Sequence, residues 1–289
     1  LQKLIYRNSK GQEVTLSNSR PFVLEKIENV ANTATSINTS ISAGQDGVSI
    51  DNISIKEKLL PITGGIVGNN FEDIDRKREY LTSVFNPKLN GELVYTNNAT
   101  SRKIKGRVQD ITFQDKVGSI QKFLVQILVP NPFWEDIYTK KEEVALWVGD
   151  FEFPLEIPQD TGIEMGHRVS NLIVNINNTG AVECGMRIQF KALATVINPS
   201  LFNINTREFI KINKTLNAGD VLECTTEFSN KRIEMIRNNG SRENVFNWID
   251  LDSEFLQLEP GDNLLRYNAD SGIDNLEVAI YYTQLYLGV

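Results

Sequence analysis

The chain has 289 residues, 40% hydrophobic and 23% charged, with 30 Lys and Arg against 37 Asp and Glu for a net charge of -7. That length suits about two domains, each able to bury a core without disulfides or metals. The acidic balance argues against nucleic-acid recognition, no run of roughly 18 apolar residues offers a membrane span, and two cysteines with one histidine are too few for a common four-ligand zinc site.

Leu1 to Lys10 alternates apolar and polar residues and lacks the apolar centre of a signal peptide, so synthesis and folding in a cytosol are expected. Asn32 to Ser42 is the most polar stretch and reads as a solvated strand or an extended arm. Val48, Ile50, Ile53 and Ile55 then alternate with polar residues, which predicts strands with one buried face. Ile62 to Gly68 reads as a flexible Gly-rich loop without the Gly-Lys-Ser/Thr of a phosphate cradle.

Asn70 to Phe85 predicts a helix. Asn70 is its N-cap, Glu72 and Asp73 suit the positive end of the helix dipole, and Arg76, Lys77 and Arg78 lie further along. Phe71, Ile74, Leu81, Val84 and Phe85 give it an apolar face, and Asn86-Pro87 ends it. A turn is expected at Asn90-Gly91.

Arg102, Lys103, Lys105 and Arg107 make the most basic short run, with Ile104 and Val108 on the alternate positions. It reads as a charged edge strand or a charged subunit interface, ahead of a nucleic-acid contact, because no aromatics interleave it. Phe123, Val125, Ile127 and Val129 form a further strand, which Pro130-Asn131-Pro132-Phe133-Trp134 interrupts. A domain boundary is expected there, dividing residues 1–138, an α+β or barrel-like unit, from 139–289. The second half has short strands separated by turns at Asn178 to Gly180, Ala218 to Asp220 and Pro260 to Asp262, and ends with Leu276, Val278, Ile280 and Tyr282 in alternation. That pattern predicts a β-sandwich or jelly roll.

Catalytic signatures are weak. His167 opens a strand-like run and has no nucleophile elbow to serve. Glu152, Glu156, Asp250, Asp252 and Glu254 sit in no motif that fixes a paired-acid geometry. Cys184 and Cys224 read as reduced thiols. Phe246, Trp248, Phe255 and Tyr267 are placed on sandwich strands, where they are core residues or, in the sharper reading, a sugar-stacking platform carried by Trp248 and Tyr267. No catalytic, cofactor or metal residue is assigned, and assembly by strand addition or ring closure remains.

Several runs occur in an order that resembles the siphophage distal tail protein family. Arg76 to Leu81, Phe85-Asn86-Pro87 and Gly91-Glu92-Leu93 match its helix-then-turn segment, and Arg102 to Val108 the strand that follows. Asn131-Pro132-Phe133-Trp134 is similar to its Pro-Phe-Trp junction. Val174 to Gly180, Asn198-Pro199, Phe209 to Ile212, Asn247 to Leu258, Pro260 to Asn263 and Tyr281 to Val289 continue the pattern.

The resemblance implies a mainly β, non-enzymatic virion protein of the phage tail tip, assembled in the bacterial host cytoplasm. It implies an N-terminal β-barrel-like domain with one helix that closes a homo-hexameric ring, followed by a galectin-like C-terminal sandwich. The ring joins the tail tube protein to the tail-tip protein and, in some phages, to receptor-binding proteins. Asn32 to Leu60 is the region expected to hold an extended hairpin that laces the ring. Arg76, Arg78, Arg102, Lys103, Lys105 and Arg107 are the candidate subunit-interface residues. The alternative function is a carbohydrate-binding module that attaches the particle to host cell-wall glycans.

Overall fold

A strand whose alternate side chains are apolar must hide one face, and in the first part of the chain a barrel does so. In a computed structural model, which describes residues 2–148, 167–169, 172–237 and 240–289 (with the side chains of 145–148 and 167–169 excepted), the chain divides into two units. The first is Leu1–Ile137 together with Leu285–Val289, and the second is Tyr138–Gln284. The last five residues therefore belong to the first unit, not to the sandwich in which the sequence reading placed them.

The first unit contains β1 (Lys3–Asn8), β2 (Glu13–Leu16), β3 (Phe22–Ile27), β4 (Thr35–Ser40), β5 (Ser49–Ile55), β6 (Lys58–Val67), α1 (Phe71–Val84), β7 (Asn90–Thr96), β8 (Ser101–Val117), β9 (Ile120–Val129) and β10 (Trp134–Asp136). Its main sheet runs β2-β1-β7-β8-β9-β6-β3. The two ends of that order meet at Ser17, whose N–H donates to Phe22 O at 3.2 Å and whose carbonyl accepts from Leu24 N at 2.8 Å. The sheet thus closes on itself, which removes its outer edges. Inside lie Leu4, Tyr6, Leu60, Ile62, Leu93, Ile104, Val125, Ile127 and Trp134, all buried. Each fully buried aliphatic side chain contributes about 1.5–3 kcal/mol relative to an exposed one.

Ile62 to Val67 is not a loop but the second half of β6, paired with β9 from Ile62↔Val125 to Val67↔Ile120. Gly64 suits a close approach, since a Cβ there would stand 2.5 Å from Cζ of Phe123. Asn90-Gly91 is likewise no turn; it opens β7. A Cβ on Gly91 would lie 2.2 Å from the hydroxyl of the buried Tyr6.

Helix α1 starts where the cap chemistry places it. Asn70 Oδ1 accepts from Asp73 N at 2.8 Å, and Asp73 Oδ2 accepts from Asn69 N at 3.0 Å. Ile74, Leu81 and Val84 turn inward with Phe85, whose ring centroid is 4.7 Å from that of Tyr6. Phe71 does not join them; it is 60% exposed. Lys77 binds Asp73 Oδ2 at 2.7 Å, and Lys116 reaches Asp75 Oδ1 at 2.6 Å, tying the helix to the end of β8.

The terminal residues finish the first unit. Leu285–Tyr286 pairs with β10, with Trp134 opposite Tyr286. The Arg102 guanidinium stacks 3.4 Å from the Tyr286 ring centroid and donates to Gly288 O. Buried Lys58 donates to Leu287 O at 3.0 Å, and Trp134 Nε1 donates to Val30 O at 3.0 Å.

The second unit contains β11 (Lys140–Val148), β12 (His167–Val169), β13 (Ile173–Asn178), β14 (Cys184–Ala192), β15 (Val196–Asn203), β16 (Phe209–Lys211), β17 (Thr215–Leu216), β18 (Val221–Thr225), β19 (Arg232–Ile236), β20 (Arg242–Asn244), β21 (Gln257–Leu258), β22 (Gly261–Ser271) and β23 (Leu276–Tyr282). One sheet runs β12-β11-β23-β14-β18-β19-β20 and the other β13-β22-β15-β16. Met186, Ile188, Phe190, Val278 and Ile280 are buried on the first, and Ile176, Leu201, Leu265 and Tyr267 on the second. This is a β-sandwich, and its helical content among the described residues is two short 3-10 turns, Phe246–Trp248 and Ile273–Asn275.

Two consequences can be measured. Trp134→Ala should cost about 3–5 kcal/mol, as for other large core truncations. Removal of Leu285–Val289 should also lower the urea midpoint, and an unchanged midpoint for both variants would contradict the anchoring described.

The carboxyls of Asp73 and Asp75 are held below their ordinary value, chiefly by the hydrogen bonds from Lys77 and Lys116 respectively. A depressed folded value stabilises above the unfolded value and is lost as pH falls through the folded one. The helix anchor should therefore be intact at neutral pH and weaken below about pH 4. Asp75→Asn should flatten that acid limb of a stability-against-pH curve; a curve identical to the unmodified chain would refute the assignment.

Candidate assembly interface

Strands β4 and β5 form a two-stranded hairpin of their own, between β3 and β6, outside the barrel sheet. Thr35↔Ile55, Ile37↔Ile53 and Thr39↔Ile50 are direct cross-strand pairs, so their side chains share one face. Ser36↔Ser54, Asn38↔Asn52 and Ser40↔Ser49 share the other. A β-bulge between Asn38 and Thr39 leaves Asp51 unpaired, and Ser40 Oγ donates to its Oδ1 at 2.8 Å. That extra residue matters, because without it Ile50 would turn to the polar side. Ile41 and Val48 follow directly beyond the strand ends, in the connection at the tip of the hairpin.

Alternation in this segment therefore does not report a face buried within the chain, as the sequence reading expected. Ile37, Ile41, Val48, Ile50 and Ile53 are all between 53% and 70% exposed. A lone hairpin is marginally stable in water, and a contiguous exposed apolar face marks an interaction surface. The expectation of an extended hairpin within Asn32 to Leu60 agrees with the observed arm, whose apolar face lies open to solvent.

The basic candidates are largely engaged within their own unit. β8 is not an edge strand at the basic run: β7 pairs with it from Ser101 to Arg107, and β10 pairs with Arg102 and Lys103 on the other side. Arg102 is committed to the C-terminal residues. Lys103 and Lys105 flank Glu135 at 4.0 and 3.4 Å, and Arg107 Nη2 donates to Asn90 Oδ1 at 2.6 Å. On the helix, Arg78 pairs with Asp75 at 2.9 Å, while Arg76 stands 3.9 Å from Asp73 and extends into solvent.

The aromatic platform is not assembled. Tyr267 on β22 is 1% exposed, which leaves no ring face for a sugar. Trp248 lies in a 3-10 turn instead of a strand and is half-buried, with Lys214 Nζ 4.8 Å from its ring centroid. Phe255 also lies outside a strand, stacked on Phe246 at 5.8 Å.

Among the acids, Asp250 ties its own turn, accepting from Asn213 Nδ2 and Asp252 N at 2.9 and 3.0 Å. The Asn213 hydrogen bond leads the causes that hold its carboxyl below the usual value. Asp252 and Glu254 are exposed on the same loop, whereas Glu152 and Glu156 fall outside the described residues, as does the side chain of His167. Cys184 and Cys224 are free and buried, and burial pushes both thiols up to about 12. Among the described residues no group of His, Cys, Asp or Glu could hold a metal ion, and no helix is long and apolar enough to cross a membrane.

The described residues thus form a closed barrel, a sandwich and an arm with an exposed apolar face. Residues 9–129 match the phage tail protein RIFT-related domain, and residues 179–286 match the siphovirus-type tail component C-terminal domain. No curated protein sequence matches the chain. Among solved structures it is similar to the SPP1 Dit (gp 19.1) protein, described as a paradigm of the hub adsorption apparatus in phages infecting Gram-positive bacteria. The identity is 16%, the TM-score 0.70, and the match covers 98% of this chain and 99% of that one.

It is also similar to a chain of the phage P2 baseplate in its activated conformation with calcium, at 12% identity and a TM-score of 0.55, over 100% of this chain and 99% of that one. The corresponding strontium structure gives 11% identity and 0.55, with both chains covered fully. The two family models make this a phage tail component of the siphovirus type, and the solved structures share its fold. Within that class, the chain belongs to the siphophage distal tail protein family.

Proposed function

We propose that this protein is a non-enzymatic distal tail protein that closes a homo-hexameric ring at the tail tip. The ring joins the tail tube to the tail-tip protein and, in particles that carry them, to receptor-binding proteins. The protein resides in the virion after assembly in the host cytoplasm. Family membership supports the setting, and the exposed isoleucine face of the β4–β5 arm carries the assembly reading.

The arm supplies the apolar contact that ring closure needs, and the basic residues contribute at the rim. Of these, Arg76, Arg78, Lys105 and Arg107 keep exposed surface, whereas Arg102 and Lys103 serve their own unit. Rim charges of this kind steer association more than they hold it. Glycan attachment through the sandwich is the weaker reading, with Tyr267 buried and Trp248 half covered.

Light scattering on the full chain tests the proposal. The unmodified protein should associate with rising concentration, and Ile50→Asp with Ile53→Asp should remain monomeric. Because both sites are exposed, the double variant should keep its circular dichroism and lie within about 1 kcal/mol of the original stability. Equal association by the two proteins would count against the arm as the ring contact.

A further inference from the structure

The arm joins its barrel through two short feet, residues 28–34 after β3 and residues 56–57 before β6. Because the hairpin is a sheet of its own, these feet set its direction. Nearest the barrel the ties are local: Glu28 N donates to Pro61 O and Asn29 Nδ2 donates to Leu59 O, each at 2.9 Å, and both acceptors lie on β6.

One residue further out, the partners come from the far side of the sandwich in sequence. Val30 O accepts from Trp134 Nε1 at 3.0 Å, and Trp134 stands opposite Tyr286. Gly288 lies directly on Ala31: a Cβ at Gly288 would stand 2.8 Å from Ala31 Cα and 3.3 Å from Val30 O. So close a backbone approach requires glycine. At the other foot Lys58, 6% exposed, donates to Leu287 O at 3.0 Å. A buried ammonium that loses its acceptor is driven toward water, which pulls on the start of β6. Arg102 fixes the same segment without touching either foot, stacked on Tyr286 and donating to Gly288 O.

We infer that Tyr286, Leu287 and Gly288 form a clasp that sets both feet of the arm, so that the arm takes its working position only once this segment has been made. Tyr138–Gln284 must be synthesised first, which at roughly 5–20 residues per second takes about 7–30 s. Over that interval the feet lack Leu287 and Gly288, and nascent chains do not yet present a set arm to one another. The use of the clasp in assembly rests on the ring reading above; its hold on the feet does not.

Two variants of the full chain test the clasp. Gly288→Val places a branched side chain against Ala31. Arg102→Met releases the clasp from the side away from the feet, so any loosening of the feet passes through residues 286–288. In dilute protein, amide exchange over residues 28–34 and 56–60 should accelerate about tenfold in Gly288→Val and about threefold in Arg102→Met, while β9 and β14 keep their original rates. By light scattering, Gly288→Val should need about tenfold more protein than the unmodified chain to associate.

Feet that exchange at the original rate in both variants would overturn the inference. So would an equal acceleration across the feet and β9, which would make residues 286–288 ordinary core. Loosened feet with unchanged association would overturn the role of the clasp in assembly and leave the ring standing. An unmodified chain that is monomeric at every concentration would remove the ring reading, and the exchange rates alone would then decide whether the clasp holds the feet.

Discussion

An apolar β face that its own chain does not cover is the constraint on which this structure turns. The β4–β5 hairpin has a polar side of serine and asparagine and an isoleucine side held in register by the bulge at Asp51. The arm is a sheet of its own apart from the barrel, and its isoleucine side stays exposed. In water it is a liability, and an exposed apolar face of this kind is what an interaction surface looks like.

The barrel gives the arm a fixed base. Val30, close to the point where the arm departs from β3, accepts the indole hydrogen of fully buried Trp134. Trp134 is in turn paired with the terminal strand, and Lys58, at the arm's return, binds Leu287. Both feet of the arm are therefore attached to the C-terminal residues of the chain. The sandwich unit is spliced between β10 and that terminal strand, so its sequence interrupts the unit that carries the arm. This arrangement accounts for the placement of Tyr286 and Gly288 beside Arg102, which local sequence gave no means to foresee.

Local features were legible where the chemistry is local. Asn70 and Asp73 announce the helix start because a cap is completed within four residues. Phe123 to Val129 reads as a strand because its alternate residues are buried. The pair Gly64-Gly65 misleads, because the Phe123 ring that favours Gly64 lies far along the chain. Alternation likewise shows that Ile50 and Ile53 share a strand face without showing whether that face meets protein or water. The basic run suggested an interface, but its partners Glu135 and Gly288 are distant in sequence and turn Lys103 and Arg102 inward. Tyr267 shows the same limit: an aromatic on a strand is core or platform according to which side of the sheet it takes. The family was legible from the order of its loose motifs, which no single motif carried.

Amide hydrogen exchange over Thr35–Ile55, compared between dilute and concentrated protein, tests the central claim most directly. The account predicts rapid exchange in the arm when dilute and strong protection at high concentration, with the barrel strands β6 and β9 protected in both. An arm that exchanges equally fast in the associated state would contradict it.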